Sequence, residues 1–360
     1  GASEQEAPLN DNKIVRDLTQ GSVFKLLISF SIPFMFANVL QIFYNITDMI
    51  IIGQFVGSAG LSAVSIGTDL VHLQMLFCMG FANAGQIIVS QYVGMKNTEG
   101  LRRFIGTLFS VLILMGLIMT VAGLLSRNWL LGVLNTPEEA FSQAKDYVII
   151  CAAGMFFVYG YNTVSAVLRG MGDSTRPFVF IAIAAGLNVA LDLIFVGPLH
   201  MAAAGAALAT ITSQAVSFIV SVIYLYRHKE SFGFDFQPRS FLPDGKTFKT
   251  LSSLGLPLTV QTTAINVSML FVSAGINAYG LVYSSTFGIG GKLQSVMFII
   301  TNSISTAAAT ALCGFVDCSH NSLACGVQPC VLNFRIQFIS DCGQGSFGSC
   351  ISACTSCISL

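Results

Sequence analysis

Apolar runs of twenty residues or more, divided by short polar or glycine-rich breaks, recur along most of this chain. A run of about 20 apolar residues crosses a bilayer as a helix. The pattern predicts eight such helices, over 24–52, 61–89, 104–125, 147–168, 178–196, 203–226, 254–277 and 283–310. Within them the polar residues fall at helical spacing. Gln41, Tyr44, Asn45 and Asp48 occupy i, i+3, i+4 and i+7, one face of the first helix, between FSIPFMFANVL and MIII. A carboxylate at that depth is costly and marks a functional site by default. The plainer reading, a carboxylate near a helix end reaching the interface, stays open for Asp48.

The fifth predicted span repeats the pattern. Asn188 and Asp192, at i and i+4 in AIAAGLNVALDLIFVG, share a face near the same membrane side as Asp48. They form either a shared site with Asp48 or a polar pair packing helices together. Two carboxyls in one site would titrate as a coupled pair. Thr210, Ser213 and Gln214 make a stripe in the sixth span, and Tyr159, Asn162 and Thr163 make one in the fourth. Asn162, and Gln261 in the seventh span, are candidates to line a substrate cavity. Asp69 and Lys292 are the other charges in the spans, with His72 one turn from Asp69. Asp69 and Lys292 either face each other or line a water-filled cavity separately. Pro33 removes a backbone hydrogen bond in the first span and predicts a hinge there.

Residues 26–67 and 251–291 are alike, each with an early proline, Pro33 or Pro257, and a glycine, Gly67 or Gly291, at equal distance beyond it. Six spans separate the two starts, so the copies share one orientation. Parallel repeats of this kind recur in secondary transporters, with the substrate site at their interface.

Composition agrees with the span pattern. The 360 residues are 54% hydrophobic and 9% charged, against roughly 25% charged in soluble domains. Most of the surface must therefore face lipid. A formal net charge of +0 argues against nucleic acid as a partner. Basic residues gather in alternate loops: Lys96, Arg102 and Arg103; Arg169 and Arg176; Arg227, Lys229, Arg239, Lys246 and Lys249. By the positive-inside rule the N-terminus is cytoplasmic. The polar residues 1–23 lack the pattern of a cleavable signal peptide. No P-loop, catalytic triad or metal cluster stands out, so an enzyme is not expected and no cofactor is called for.

After residue 310 the character changes. Eight of the ten cysteines lie in the remaining 50 residues, where no run is long enough to span, and a zinc or disulfide reading of the CxxC at Cys354–Cys357 is weaker than that of a frameshifted tail. The expected organisation is a cytoplasmic segment 1–23, a six-helix lobe 24–226, a cytoplasmic linker 227–250, two helices of a second lobe 251–310, and an aberrant tail 311–360. The fold class is all-α, a polytopic membrane protein with one complete lobe and the first two helices of another.

The first-span proline and acid, VLNTPEE, LRGMGDSTRP, NVALD and GAALATITSQ together resemble the multidrug and toxic compound extrusion (MATE) family, from Asp17 to about Thr310. The resemblance implies two six-helix lobes around a central cavity and cation-coupled antiport of drugs or other amphiphilic or cationic compounds by a membrane-embedded monomer. It implies that Asp48 binds H⁺ or Na⁺, that Asn188, Asp192 and Thr210 are its partners as in the DinF-like branch, that Gln41 and Tyr44 share its face, and that the first span bends at Pro33. The seventh span lacks the acid that some NorM-like members carry. Two alternatives remain: a lipid-linked glycan flippase of the related superfamily, which would favour a more cationic cavity, and a truncated, non-transporting membrane fragment.

Overall fold

The computed structural model describes residues 23–134, 136–229, 234, 237–277 and 303. These residues are helical almost throughout: α1 (Val23–Phe55), α2 (Gly57–Gly94), α3 (Thr98–Val133), α4 (Glu138–Ala153), α5 (Met155–Gly170), α6 (Thr175–Phe195), α7 (Ala202–Arg227), a 3-10 turn (Pro238–Phe241) and α8 (Gly245–Asn277). Among the described residues five helices are long and apolar enough to cross a membrane, or six crossings if the bent pair α4–α5 is counted as one span. The chain is a multi-pass membrane protein.

Two departures from the expected spans have clear causes. The predicted fourth span, 147–168, is two helices meeting at 47°. The break falls at Gly154, where a Cβ would lie 2.3 Å from Ile211 Cγ2, so the approach of α7 requires glycine there. The break disturbs the carbonyls at the end of α4, and the Thr120 hydroxyl donates to Ala152 O at 2.9 Å. Such groups must be satisfied internally in lipid. The expected connection 126–146 shrinks to four residues, because α3 runs on to Val133 and α4 opens at Glu138. Glu138 and Glu139 occupy the first turn of α4, where the helix dipole favours acids. The predicted eighth span, 283–310, and the tail 311–360 lie outside the described residues, apart from Ser303.

Packing is arranged around α2, which lies against α4, α5 and α8, while α6 pairs with α1 and α7. At the contact with α8, a Cβ on Gly80 would lie 2.0 Å from Thr259 Oγ1 and 2.8 Å from its backbone, so the two helices touch main chain to main chain. One apolar core, with Phe104, Leu108, Tyr159 and Leu168, joins α2, α3 and α5. A second, with Ile52, Leu70, Tyr147 and Ala206, joins the far end of α1 to α2, α4 and α7. Outer faces carry exposed Phe43, Ile46 and Ile50 on α1 and Leu114, Ile118, Val121 and Leu125 on α3, as lipid contact requires.

The connection to α8 is docked rather than loose. The Ser110 hydroxyl donates to Phe241 O, and the Asp244 N–H donates to Thr107 Oγ1 at 3.2 Å. Phe109, Phe234 and Phe241 form an aromatic cluster. Asp244 caps α8, accepting from the Thr247 N–H at 3.1 Å and hydroxyl at 2.7 Å. Those bonds hold its carboxyl below the usual range. In the turn before α6, Asp173 Oδ1 accepts from the Thr175 and Arg176 N–H groups, and Oδ2 pairs with Arg176 at 2.7 Å. That satisfies the orphan donors of a helix start.

Candidate functional site

The geometry starts from the late thirds of α1 and α6. Both helices end at the same side of the bundle, and their contact brings Asp48 and Asp192 face to face with their carboxyl groups within interaction range. Asp192 is 0% exposed, Asn188 2% and Asp48 9%. Among the described residues no donor reaches Asp48 Oδ1, either oxygen of Asp192, or Asn188 Oδ1. Two buried acids facing each other with three of their four oxygens undonated cannot both carry charge at low cost, because each repels the other and neither is well solvated. The arrangement accommodates a shared proton or a monovalent cation between oxygens.

Around the pair, Asn188 Nδ2 donates to Thr210 Oγ1 at 3.4 Å, and Tyr44 lies beside the Gln41 side chain. Tyr147 and Cys151 of α4 lie near Asp48 on the other side, and Tyr147 OH is 3.2 Å from Thr68 Oγ1. The fourfold stripe read from the sequence divides. Gln41 and Tyr44 turn into the lobe and Asp48 is buried, whereas Asn45 is exposed.

Gln41, Tyr44, Asn188 and Thr210 form one end of a cavity of about 140 Å³ inside the lobe, with Asn162, Ser213 and Gln214 along its walls. That volume is below the 300–1,000 Å³ typical of drug-sized sites and suits several waters or a small polar group. Pro177 and Asn188 both line it. They lie eleven residues apart on α6, so the cavity runs about 16 Å along the helix. α1 continues as one helix through Pro33.

Other candidates fall elsewhere. Asp69 and His72 are exposed on α2 and do not line the cavity. Lys292 lies outside the described residues, and so does the expected pairing with Asp69. Gln261 is half-buried on α8, away from the cavity lining. Among the described residues no three His, Cys, Asp or Glu side chains converge.

The sequence reading missed Arg169. Counted there as a loop charge, it closes α5 and lines the cavity at the end away from the acids. Its Nε donates to Gln86 Oε1 at 2.8 Å, and its guanidinium lies over the Phe34 ring, 5.4 Å from the centroid. A signal was available: Tyr161, Ser165 and Arg169 recur every fourth residue, one inward helical face.

A family model, MatE, matches residues 33–194. The probable multidrug resistance protein YpnP of Bacillus subtilis (strain 168) is 33% identical over 293 residues, covering 81% of this chain and 64% of that protein. The multidrug export protein MepA of Staphylococcus haemolyticus is 25% identical over 288 residues, 79% and 63% of the two chains. The chain thus spans just under two thirds of the length of these relatives. A solved MOP superfamily transporter from Pyrococcus furiosus superposes with a TM-score of 0.79 at 22% identity, covering 93% of this chain and 74% of its own. A MATE transporter solved in an outward-facing conformation superposes equally well.

Proposed function

Because the chain belongs to the MATE family, we propose that it exports drugs or other amphiphilic compounds by cation-coupled antiport, with Asp48 and Asp192 as the coupling site. The observation that carries this reading is the contact between two buried carboxyls, three of whose four oxygens meet no donor among the described residues, beside a cavity. Occupancy of the pair by H⁺ or Na⁺ removes the repulsion, and an empty pair drives the two helices apart. A ligand shifts a conformational equilibrium only through its different affinity for the two states, and this pair supplies such a difference. Asn188, Thr210, Gln41 and Tyr44 connect the pair to the cavity wall, so emptying or filling the acids alters the space offered to the compound. Pro33 is the position at which α1 yields most readily, since proline leaves a backbone carbonyl without its helical partner.

In this reading the protein works as a monomer in a cell membrane with its N-terminus cytoplasmic, the side to which the basic loops point. The donor set resembles that of the DinF-like branch, with coupling confined to the first lobe.

The test is transport by the protein in liposomes under an imposed proton or sodium gradient, read with a fluorescent amphiphile such as ethidium. Asp48→Asn should reduce gradient-driven movement at least tenfold while the purified variant elutes and melts as a folded protein. Gradient-driven movement at the wild-type rate in that variant would refute the coupling role.

A further inference from the structure

α8 carries an unclaimed surface on the side of the basic loops. Lys246, Lys249, Ser253, Leu256 and Val260 follow one another by three, four, three and four residues, so they share one helical face. All five are exposed, whereas Thr247, Leu251, Leu258 and Thr259 are buried against the bundle. Among the described residues neither lysine has a carboxylate within ion-pair range. Glu99 is taken by Arg103. Asp244, close enough to attract Lys246, is bonded to the Thr247 N–H and hydroxyl. Ser253 turns its hydroxyl back to Thr250 O at 2.9 Å. Lys249 stands five residues before the apolar run that begins at Leu254, about 7.5 Å along the helix. That is headgroup depth, since headgroups add roughly 5–8 Å to each side of the hydrocarbon core. Leu256 and Val260 lie about 10 and 16 Å beyond Lys249, in the hydrocarbon of the same leaflet. A cationic head above an apolar track matches an anionic phospholipid in both of its parts. The internal repeat supplies the column a second time. Lys25, Ser29, Ile32 and Phe36 keep the separations from Pro33 that Lys249, Ser253, Leu256 and Val260 keep from Pro257. Ile32 and Phe36 are exposed on α1.

We propose that this face of α8 seats one anionic phospholipid, its phosphate held by Lys246 and Lys249 and an acyl chain laid along Leu256 and Val260. The seat does not depend on coupling or on the compound transported. Only its assignment to the cytoplasmic leaflet rests on the proposed topology.

The experiment is native mass spectrometry of the full chain in detergent, titrated with dioleoyl phosphatidylglycerol or dioleoyl phosphatidylcholine, whose acyl chains are the same. Wild-type protein should prefer phosphatidylglycerol by roughly five- to thirtyfold, the range that one to two lysines near an anionic headgroup provide. The double variant Lys246→Gln/Lys249→Gln should carry one bound phosphatidylglycerol fewer, with phosphatidylcholine binding unchanged. Arg227→Gln/Lys229→Gln removes equal charge from the same side of the protein and should leave the preference within about twofold. An equal loss in that control would show a response to net charge rather than a seat, and would overturn the proposal. So would equal wild-type retention of the two lipids, or displacement of phosphatidylglycerol by millimolar glycerol phosphate, which would mark a site for soluble phosphate. A dimer that retains no lipid would assign the face to a second copy, and a monomer that retains none would assign it to later residues of the chain. Either result sinks the inference and leaves the coupling scheme standing.

Discussion

Asp192 is the most exposing test of the acid pair as a physical object. It is fully buried and its two oxygens meet no donor among the described residues, so its ionised form has little to stabilise it. Asn in its place keeps the shape and removes the charge, and a buried amide without partners costs less than a buried anion. Asp192→Asn should therefore raise the apparent melting temperature in detergent by about 1–2 °C, the shift that ~1 kcal/mol produces in a protein of this size. A fall of similar size would mean that a tightly held cation or unseen donors already stabilise the acid. At this scale the sequence was readable where a charge interrupts an apolar run, as with Asp48, Asn188 and Asp192. It misled where a charge ends one. Arg169 sits at the last turn of α5, and only its four-residue spacing from Ser165 and Tyr161 separates a cavity residue from a loop residue. The exposed position of Asn45 shows a finer limit: four residues at helical spacing cover an arc, and only the fold decides where that arc meets a neighbour.

Among the elements, the break between α4 and α5 was the least legible. Hydropathy sees one apolar segment across 147–168, and nothing in a single glycine announces a 47° bend. What marks the position is tertiary, the close approach of Ile211, which leaves no room for a Cβ on Gly154. The start of α4 was hidden for the opposite reason. Its acids and Lys145 read as a loop, although Pro137 followed by two glutamates is a helix-start signature. Gly154→Ala should force a methyl against a β-branched side chain and cost about 1–3 kcal/mol, as overpacking does. The readout is a lowered apparent melting temperature. Ile211→Ala, which removes the opposing methyl, should recover at least half of the loss in the double variant. Simple additivity of the two losses would show that the contact does not fix the bend.

For the molecule as a whole, the all-helical build with five to six apolar spans among the described residues followed from run length alone, whereas the order in which the helices pack, with α2 against α4, α5 and α8, did not. Run length reports where lipid is, and packing partners depend on which small residues allow close approach, as Gly80 does for Thr259. The docked connection has a consequence at this scale. Ser110, Thr107 and Phe109 hold 237–244 to α3 through Phe241 and Asp244, contacts made by this stretch itself. Two separate polypeptides, 1–228 and 237–360, should therefore assemble when coexpressed, with a tag on one recovering the other in near-equal amount from detergent. Recovery of the tagged piece alone would show that the docking needs the covalent tether. If the pieces do assemble, the gene could be divided at this point without losing the protein, and a lineage could carry the two halves as independently inherited parts.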